Sequence, residues 1–361
     1  MARTLILCPT HDHADALMMS IASVRAQNET DWRMVVICDG APARTVEILQ
    51  AIEADDPRIE HRVFPKGERY GEAYRDLVLR EAAEEFVCHL SDDDLWRSGH
   101  LAAMHRLLAE ADWGRQGVAW LPAAAEDLRW RFANVGGAVA RRAGVAMRPI
   151  APGINNVAYR REAYMALPEG WTAAPAPGPS DLFMWAKFFR AEGMRIASCA
   201  EATVLRMPSR GKRAELTPTE RAVALGPWLA CLNDPATATL RLDKADVLRG
   251  LVTLFAYSEI EGVGKFEAAM EHCGLRMVDP GEPCNVAVDG AMLDVPLSRK
   301  QRRQGRCAFL AVKAASVEDE GPTARWKEFA ADNPKLARRA LRDLAGLAPP
   351  FPERAQRLGA G

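Results

Sequence analysis

The chain has 361 residues and a formal net charge of −1, with 48% of its residues hydrophobic and 26% charged, a composition typical of globular proteins. Because the net charge is close to zero, no broad positive field attracts nucleic acid, and we expect no nucleic-acid partner. The N-terminal apolar run ends at Pro9, too early for a signal peptide, and no window reaches the ~18–20 apolar residues of a transmembrane segment, so the sequence predicts a cytoplasmic protein.

The N-terminal part of the chain alternates between short apolar runs and segments with helical spacing. The apolar runs predict four strands, at residues 4–8, 33–38, 59–64 and 86–90. The segments between them predict three helices, at residues 15–27, 45–54 and 71–85. This alternation predicts an α/β fold with a mostly parallel sheet flanked by helices. Ligands of such sheets bind beyond the carboxyl ends of the strands, where this chain has Pro9-Thr10, Asp39-Gly40 and residues 91–94.

The pattern becomes looser after Trp113. It predicts two further strands and one helix ahead of a linker at residues 208–212, with the strands at residues 118–121 and 128–135 and the helix at residues 181–191.

Helical patterns dominate the C-terminal part, notably at residues 244–273 and 325–347. A basic run at residues 299–306 is expected to be a solvated loop. The sequence thus predicts one domain over residues 1–210 and a mainly helical region of unknown role over residues 211–361. We expect any homo-oligomer to form through these C-terminal helices.

Residues 91–94, Ser-Asp-Asp-Asp, directly follow the fourth predicted strand. Adjacent carboxylates repel one another unless a positive charge lies between them. A divalent cation bound to a diphosphate would supply that charge, since Mg²⁺ or Mn²⁺ takes one or two protein carboxylates together with phosphate oxygens. The alternative is a helix start, where Asp side chains accept hydrogen bonds from the first backbone N–H groups. The acidic run alone leaves both interpretations open.

Four motifs occur in a fixed order: Pro9-Thr10 after the first strand, Asp39-Gly40 after the second, a Gly-x-x-x-Arg element at residues 71–75, and the acidic run at residues 91–94. In order and spacing they resemble the family 2 glycosyltransferases, which have the GT-A fold of nucleotide-diphospho-sugar transferases. The resemblance covers residues 4–206 and implies a GT-A-like domain that binds a nucleotide-sugar donor.

The resemblance implies a nucleotide-binding role for five residues of the first motifs. Pro9, Thr10 and Asp12 would line the nucleoside, and Asp39 would accept a hydrogen bond from the base. Arg75 would lie near the base or the phosphates, where a bidentate cation is useful.

The resemblance implies that the acidic run binds the sugar and the metal. Asp92 would bind ribose or sugar hydroxyls, Asp93 would hold Mn²⁺ or Mg²⁺ on the diphosphate, and Asp94 would support the same metal. The common family pattern is Asp-x-Asp-Asp, and this chain departs from it with Ser91 in the first acidic position.

A second constellation, Ser180-Asp181 followed by Trp185, resembles the family's Glu-Asp-x-x-x-Trp element, with Ser180 in place of the Glu. The resemblance implies that Asp181 is the general base that deprotonates the acceptor hydroxyl. The alternative is a helix start in which Ser180 caps the helix and the helix dipole lowers the pKa of Asp181.

Histidines near the predicted site are ambiguous. His11 and His13 could ligate a metal, but a histidine pair without a third ligand is more often polar lining. Many relatives have a further histidine near the end of the domain; this chain has none there, and Arg206 or Arg210 could supply positive charge instead.

We therefore expect an inverting glycosyltransferase that uses a divalent metal and transfers a sugar, with UDP as the expected nucleotide, to a hydroxyl of a glycan, a lipid-linked or a protein acceptor. This chemistry belongs to polysaccharide biosynthesis in many relatives. The first alternative is a non-catalytic binding or scaffold protein with the same fold. A sugar nucleotidyltransferase is disfavoured, because no glycine-rich loop follows the first strand.

Overall fold

The computed structural model describes residues 2–120, 129–132, 135–148, 153–176, 178–207, 215–233, 244–260, 262–277, 284–288, 295–317, 319–347 and 349–360. Within these ranges, a nine-stranded sheet is flanked by helices and a separate three-stranded sheet lies in the C-terminal region. The predicted α/β class is confirmed.

One half of the large sheet is parallel. Strands and helices alternate in it along the chain: β1 (Thr4–Thr10), α1 (Ala14–Arg25), β2 (Trp32–Asp39), α2 (Ala43–Asp55), β3 (Ile59–Phe64), α3 (Glu72–Glu81) and β4 (Phe86–His89). Strand β1 lies between β2 and β4, and β2 pairs with β3, all in parallel. The four predicted strands and three predicted helices are therefore confirmed.

The other half of the sheet is mixed. Its elements are β5 (Leu95–Trp96), α4 (His100–Ala109), β6 (Trp113–Trp120), β7 (Arg129–Arg131), α5 (Ala138–Val145), a 3-10 turn (Ile154–Asn156), β8 (Val157–Arg160), α6 (Arg161–Met165), α7 (Ser180–Arg190) and β9 (Ile196–Arg206). The strand order is β3-β2-β1-β4-β8-β6-β9-β5, with β7 paired to β6. Antiparallel β8 joins the parallel half to β6. The strand predicted at residues 128–135 is shorter than expected, because β7 ends at Arg131.

The C-terminal region is mainly helical, as predicted. It contains α8 (Pro218–Asn233), α9 (Lys244–Ala256), α10 (Phe266–His272), β10 (Leu275–Met277), β11 (Cys284–Val288), β12 (Val295–Leu297), α11 (Arg299–Ser316), α12 (Glu320–Asp332), α13 (Pro334–Ala345) and α14 (Phe351–Gly359).

Three expectations for this region were wrong. The helix predicted at residues 244–273 is two helices, and between them Glu259 and Gly262 have positive φ angles, which an α-helix does not allow. The helix predicted at residues 325–347 is interrupted before Pro334, since proline cannot donate a helical hydrogen bond and starts α13 instead. The basic run at residues 299–306 begins α11, where Ser298 and Gln301 form a capping box.

The two faces of the large sheet pack into separate apolar clusters. Successive residues of β1 divide between them, with Leu5 on one face and Ile6 on the other. The cluster that contains Leu5 also includes C-terminal side chains such as Leu251 and Phe309. The C-terminal helices thus continue the core of the sheet on that side. The predicted boundary near residue 210 lies outside the described residues, and none of the described helices is long and apolar enough to cross a bilayer.

Candidate active site

A cleft of about 1030 Å³ opens at the carboxyl ends of the parallel strands. Its lining includes the base candidate Asp181 and all six residues predicted to bind the nucleotide-sugar, which are Pro9, Thr10, Asp12, Asp39, Arg75 and Asp92. Since these residues come from β1 and the loop after it, β2, α3, the loop after β4 and α7, the fold itself brings the separate sequence motifs into one site.

Asp92 lines the cleft and is held from two directions. Thr10 Oγ1 donates to its Oδ2 at 2.7 Å, and His13 Nδ1 lies 2.9 Å from its Oδ1. The carboxylate is buried at 8% exposure but still borders the cleft. It is therefore fixed in orientation with an edge that a ligand can reach.

Asp93 lies beneath this floor, at 1% exposure. Its carboxylate forms a group with His13 and Asp92 in which one possible ligand atom from each residue lies within 4.8 Å of the others. One imidazole nitrogen and two carboxylate oxygens suit Mn²⁺ better than Mg²⁺, since both cations prefer oxygen ligands but Mn²⁺ accepts an imidazole nitrogen more readily. Arg221 of α8 also reaches this group, with its Nη1 3.4 Å from Asp93 Oδ2.

Asp94 is not part of this group and contacts Met207 and Asn155 instead. Its Oδ1 accepts the backbone N–H of Met207 at 2.7 Å, and Asn155 Nδ2 donates to its Oδ2. Burial raises the pKa of Asp94 to about 7, against the opposing effects of the Arg206 charge and the Met207 N–H. Asn155 also accepts from the Ser91 backbone N–H at 2.9 Å. This geometry does not support Asp94 as a direct metal ligand; it ties the acidic loop to the end of β9.

Asp39 lies at the end of β2 and is buried. Lys66 Nζ lies 2.5 Å from its Oδ2, and the Gly67 N–H donates to its Oδ1 at 2.6 Å. Gly71 approaches the same carboxylate so closely that a Cβ there would lie 3.1 Å from Asp39 Cγ, and its φ of +67° also favours glycine. Lys66, in the loop after β3, was not predicted, although its position after a third parallel strand is a usable signal.

Arg75 is a buried cation with spare donors. Its Nη2 donates to Tyr70 O at 2.8 Å, while its Nε and Nη1 have no hydrogen-bond partner among the described residues. The guanidinium also lies over Trp171, 4.8 Å from the ring centre. Burial lowers the pKa of Arg75, and the carboxylates of Glu72, Asp39 and Asp181 oppose this. A buried guanidinium with unused N–H groups at a cleft wall is suited to an anionic ligand.

Asp181 is the second residue of α7 and is half-buried. Burial raises the pKa of Asp181, and the Leu182 N–H and the charges of Arg206 and Arg75 offset this only in part. The lowering expected from a helix start is therefore outweighed. Ser180, which stands where the family pattern has Glu, donates to Glu72 Oε1, so α3 supplies a carboxylate beside Ser180.

Arg206 contributes a cation to the lining of the cleft. It ends β9, lines the cleft, and lies over Trp120 with its guanidinium carbon 5.2 Å from the ring centre. Of the two arginines considered in place of the family histidine, Arg206 thus reaches the site, and Arg210 lies outside the described residues.

The match with known families covers the part of the chain that builds the cleft floor. Residues 5–123 match the model of glycosyl transferase family 2. This region of the chain is similar to that family. The predicted resemblance is thereby confirmed for β1 to β6 and the acidic loop, while α7 with Asp181 and the C-terminal region lie outside the matched residues.

Two curated relatives match over a similar length. A putative teichuronic acid biosynthesis glycosyltransferase, TuaG of Bacillus subtilis, is 27% identical over 105 residues, which are 29% of this chain and 41% of TuaG. The GalNAc(5)-diNAcBac-PP-undecaprenol β-1,3-glucosyltransferase of Campylobacter jejuni is 27% identical over 104 residues, which are 29% of this chain and 34% of that protein. The matched segments thus span less than half of either relative.

Solved structures resemble the chain more distantly. TarS 1–349 of S. aureus is 13% identical, with 94% of this chain and 90% of that chain aligned at a TM-score of 0.44. The mannosyltransferase PcManGT of Pyrobaculum calidifontis, solved with GDP-Man and Mn²⁺, is 15% identical, with 99% and 84% aligned at a TM-score of 0.41.

Proposed function

We propose that this chain is an inverting glycosyltransferase that moves a sugar from a nucleoside diphosphate, with UDP as the expected nucleotide, to a hydroxyl acceptor. The observation that carries the proposal is the arrangement of one cleft, in which the family's nucleotide motifs and acidic loop face a half-buried carboxylate, Asp181. The domain division at residue 210 and the site roles below are parts of the same proposal.

The donor would lie along the carboxyl ends of β1 and β2. Thr10, Asp12 and Asp39 would contact the nucleoside together with Pro9, as the family motifs imply. The free N–H groups of Arg75 are supported as donors to the diphosphate or base, because their burial without partners costs free energy that an anionic ligand would recover.

The divalent metal would be held by His13, Asp92 and Asp93, whose mixed nitrogen and oxygen donors favour Mn²⁺ over Mg²⁺. When bound, such a metal neutralises charge on a leaving diphosphate. Asp92 remains able to accept hydrogen bonds from ribose or sugar hydroxyls through its exposed edge. Asp94 would keep the loop in place through Asn155 and Met207.

Asp181 would act on the acceptor. The acceptor hydroxyl oxygen forms a bond to the anomeric carbon, the bond from that carbon to the diphosphate oxygen breaks, and the hydroxyl proton passes to Asp181. A raised pKa suits this role, because a stronger base accepts the proton more readily. The relatives' names concern teichuronic acid and an undecaprenol-linked glycan, so we expect a glycan or lipid-linked acceptor of polysaccharide biosynthesis before a protein acceptor.

Thermal stability with UDP, GDP, dTDP, CDP or ADP, each with Mn²⁺, Mg²⁺ or EDTA, tests the donor site without an acceptor. Ligand at a hundred times its dissociation constant stabilises a protein by about 2.7 kcal/mol, which a melting curve resolves easily. We expect one nucleotide to stabilise the protein with Mn²⁺, less with Mg²⁺ and least with EDTA. The variant Asp93→Ala should lose the metal-dependent part alone. No stabilisation by any nucleotide would contradict the proposal.

The same screen addresses the second candidate, a non-catalytic binding or scaffold protein. The pairing of Asp93 with Arg221 favours that candidate, because a guanidinium already neutralises the carboxylate that would hold the metal. A protein of this kind would give no metal-dependent shift and no sugar transfer from any nucleotide-sugar.

A further inference from the structure

Helix α8 brings a C-terminal residue into the acidic loop of the cleft. The helix packs along α1, and near its start Thr219 Oγ1 donates to Asp15 Oδ2 of α1 at 2.5 Å. Arg221 lies two residues further along, is only 8% exposed, and points toward the loop that carries Asp93.

Arg221 contacts two of the three candidate metal ligands. Its Nη1 lies 3.4 Å from Asp93 Oδ2 and also donates to His13 Nε2. A guanidinium has only N–H donors, so in this arrangement His13 Nε2 accepts and its proton lies on Nδ1, facing Asp92 Oδ1 at 2.9 Å. A neutral imidazole with a free Nε2 lone pair is the form that binds metals. Arg221 thus covers the lone pairs of two of the three candidate ligands.

We propose that Arg221 is a further residue of the donor site, which holds the place of the divalent cation and sets the affinity of the site for metal. The inference rests on the proposed function, since the metal is the one that would accompany the nucleotide. Two cations cannot share the same lone pairs, so metal binding requires the Arg221 side chain to leave His13 and Asp93. Helix α8 is thereby coupled to the loading of the cleft.

The physical reason for such a residue is the burial of Asp93. A carboxylate at 1% exposure is unfavourable without a positive partner. Arg221 supplies that partner in the metal-free protein, and a metal would supply it in the loaded protein. When a metal replaces Arg221, the charge of Asp93 stays neutralised. Because the metal must displace Arg221, a higher metal concentration is needed to fill the site.

The test is Mn²⁺ binding to the full chain without nucleotide, followed by the EPR signal of free Mn²⁺. Arg221→Met keeps most of the side-chain volume and removes the charge, and it should bind Mn²⁺ about tenfold more tightly or better, because a competing charge beside a buried carboxylate is lost. Arg221→Lys retains a cation and should stay within about threefold of the natural protein. Thr219→Val is the matched control. It removes the hydrogen bond between α8 and Asp15 and leaves the guanidinium of Arg221, so the Mn²⁺ affinity should stay within about threefold of the natural protein.

Several results would overturn the inference. Equal Mn²⁺ affinity for the natural protein and Arg221→Met would contradict it. So would a gain in Mn²⁺ affinity in Thr219→Val equal to that in Arg221→Met, because the position of α8, and not the charge of Arg221, would then cause the effect. Loss of nucleotide binding in Arg221→Met, with no Mn²⁺ bound by any variant, would make Arg221 itself the cation of the site. Failure of the proposed function appears separately, as an absence of nucleotide binding in the thermal screen while the Mn²⁺ titration still distinguishes the variants.

Discussion

The cleft residues of the parallel strands and those of α7 and β9 differ in how completely their carboxylates are paired. On the side of the parallel strands, the carboxylates of Asp39 and Asp92 each have two polar contacts within 3 Å. On the other side, Asp181 accepts from the Leu182 N–H, and Arg206 contacts the Trp120 ring. The first side is organised before any ligand arrives, as binding a common nucleotide requires. The second side holds Asp181, whose pKa is raised by burial, as a reacting side requires.

Asp181→Asn should produce the largest effect and separate the two sides. The amide keeps the size of the side chain but cannot accept the acceptor proton, so we expect the turnover number to fall by about 10²–10⁴-fold. Binding of the nucleotide should be unchanged, because its contacts lie on the other side. Sugar transfer measured with a nucleotide-sugar, beside nucleotide binding by calorimetry, checks both parts. A variant that transfers sugar at the natural rate would remove Asp181 from the role of base.

Arg75→Met should have a smaller effect, and it should weaken nucleotide binding and not turnover. Loss of a buried guanidinium with two free donor atoms should weaken nucleotide binding by about 10–100-fold, on the scale of one or two charge-assisted hydrogen bonds. The melting temperature without ligand should not fall much, since the variant also removes a desolvated charge. Calorimetry with the nucleotide identified by the screen measures the first effect. Unchanged affinity would show that Arg75 serves only packing against Trp171.

The local sequence pattern predicts which residues reach the cleft from the parallel strands, but it does not predict the contacts of the acidic loop. Strands β1, β2 and β4 are continuous apolar runs, and the residues that follow them reach the same sheet edge by topology alone. The direction of each carboxylate in residues 92–94 depends instead on partners far along the chain. Asp94 faces Met207, and Asp93 faces Arg221, 128 residues away. No spacing rule connects such residues, so His13 was judged polar lining and Arg221 was missed.

The C-terminal errors have a different cause. Apolar spacing continues through residues 244–273, but Glu259 and Gly262 adopt positive φ angles that the spacing does not reveal. The interruption at Pro334 could have been predicted, because proline favours the first turn of a helix over its interior. Charge alone predicts a loop at residues 299–306, but Ser298 and Gln301 have the capping-box spacing that starts a helix.

The smallest expected effect is on the pH dependence of activity. It tests whether the charge of Arg206 lowers the pKa of Asp181. A base must be deprotonated to act, so activity falls as the pH drops through the pKa of Asp181. Because burial raises that pKa, the acidic limb of kcat/KM should lie at higher pH than for an ordinary carboxyl group. The charge of Arg206 lowers the pKa of Asp181, so Arg206→Met should move the limb to still higher pH. Arg190→Met removes the same charge from the far end of α7, where the side chain is exposed and donates to Val145 O, and it should leave the limb in place. An equal displacement in both variants would mean that overall charge, and not the contact of Arg206 with the cleft, determines the titration. A limb at the position of an ordinary carboxyl group would mean that Asp181 is hydrated before the acceptor binds, since kcat/KM reports the pKa of the enzyme without that substrate. The two sides of the cleft would then differ less than their pairing indicates.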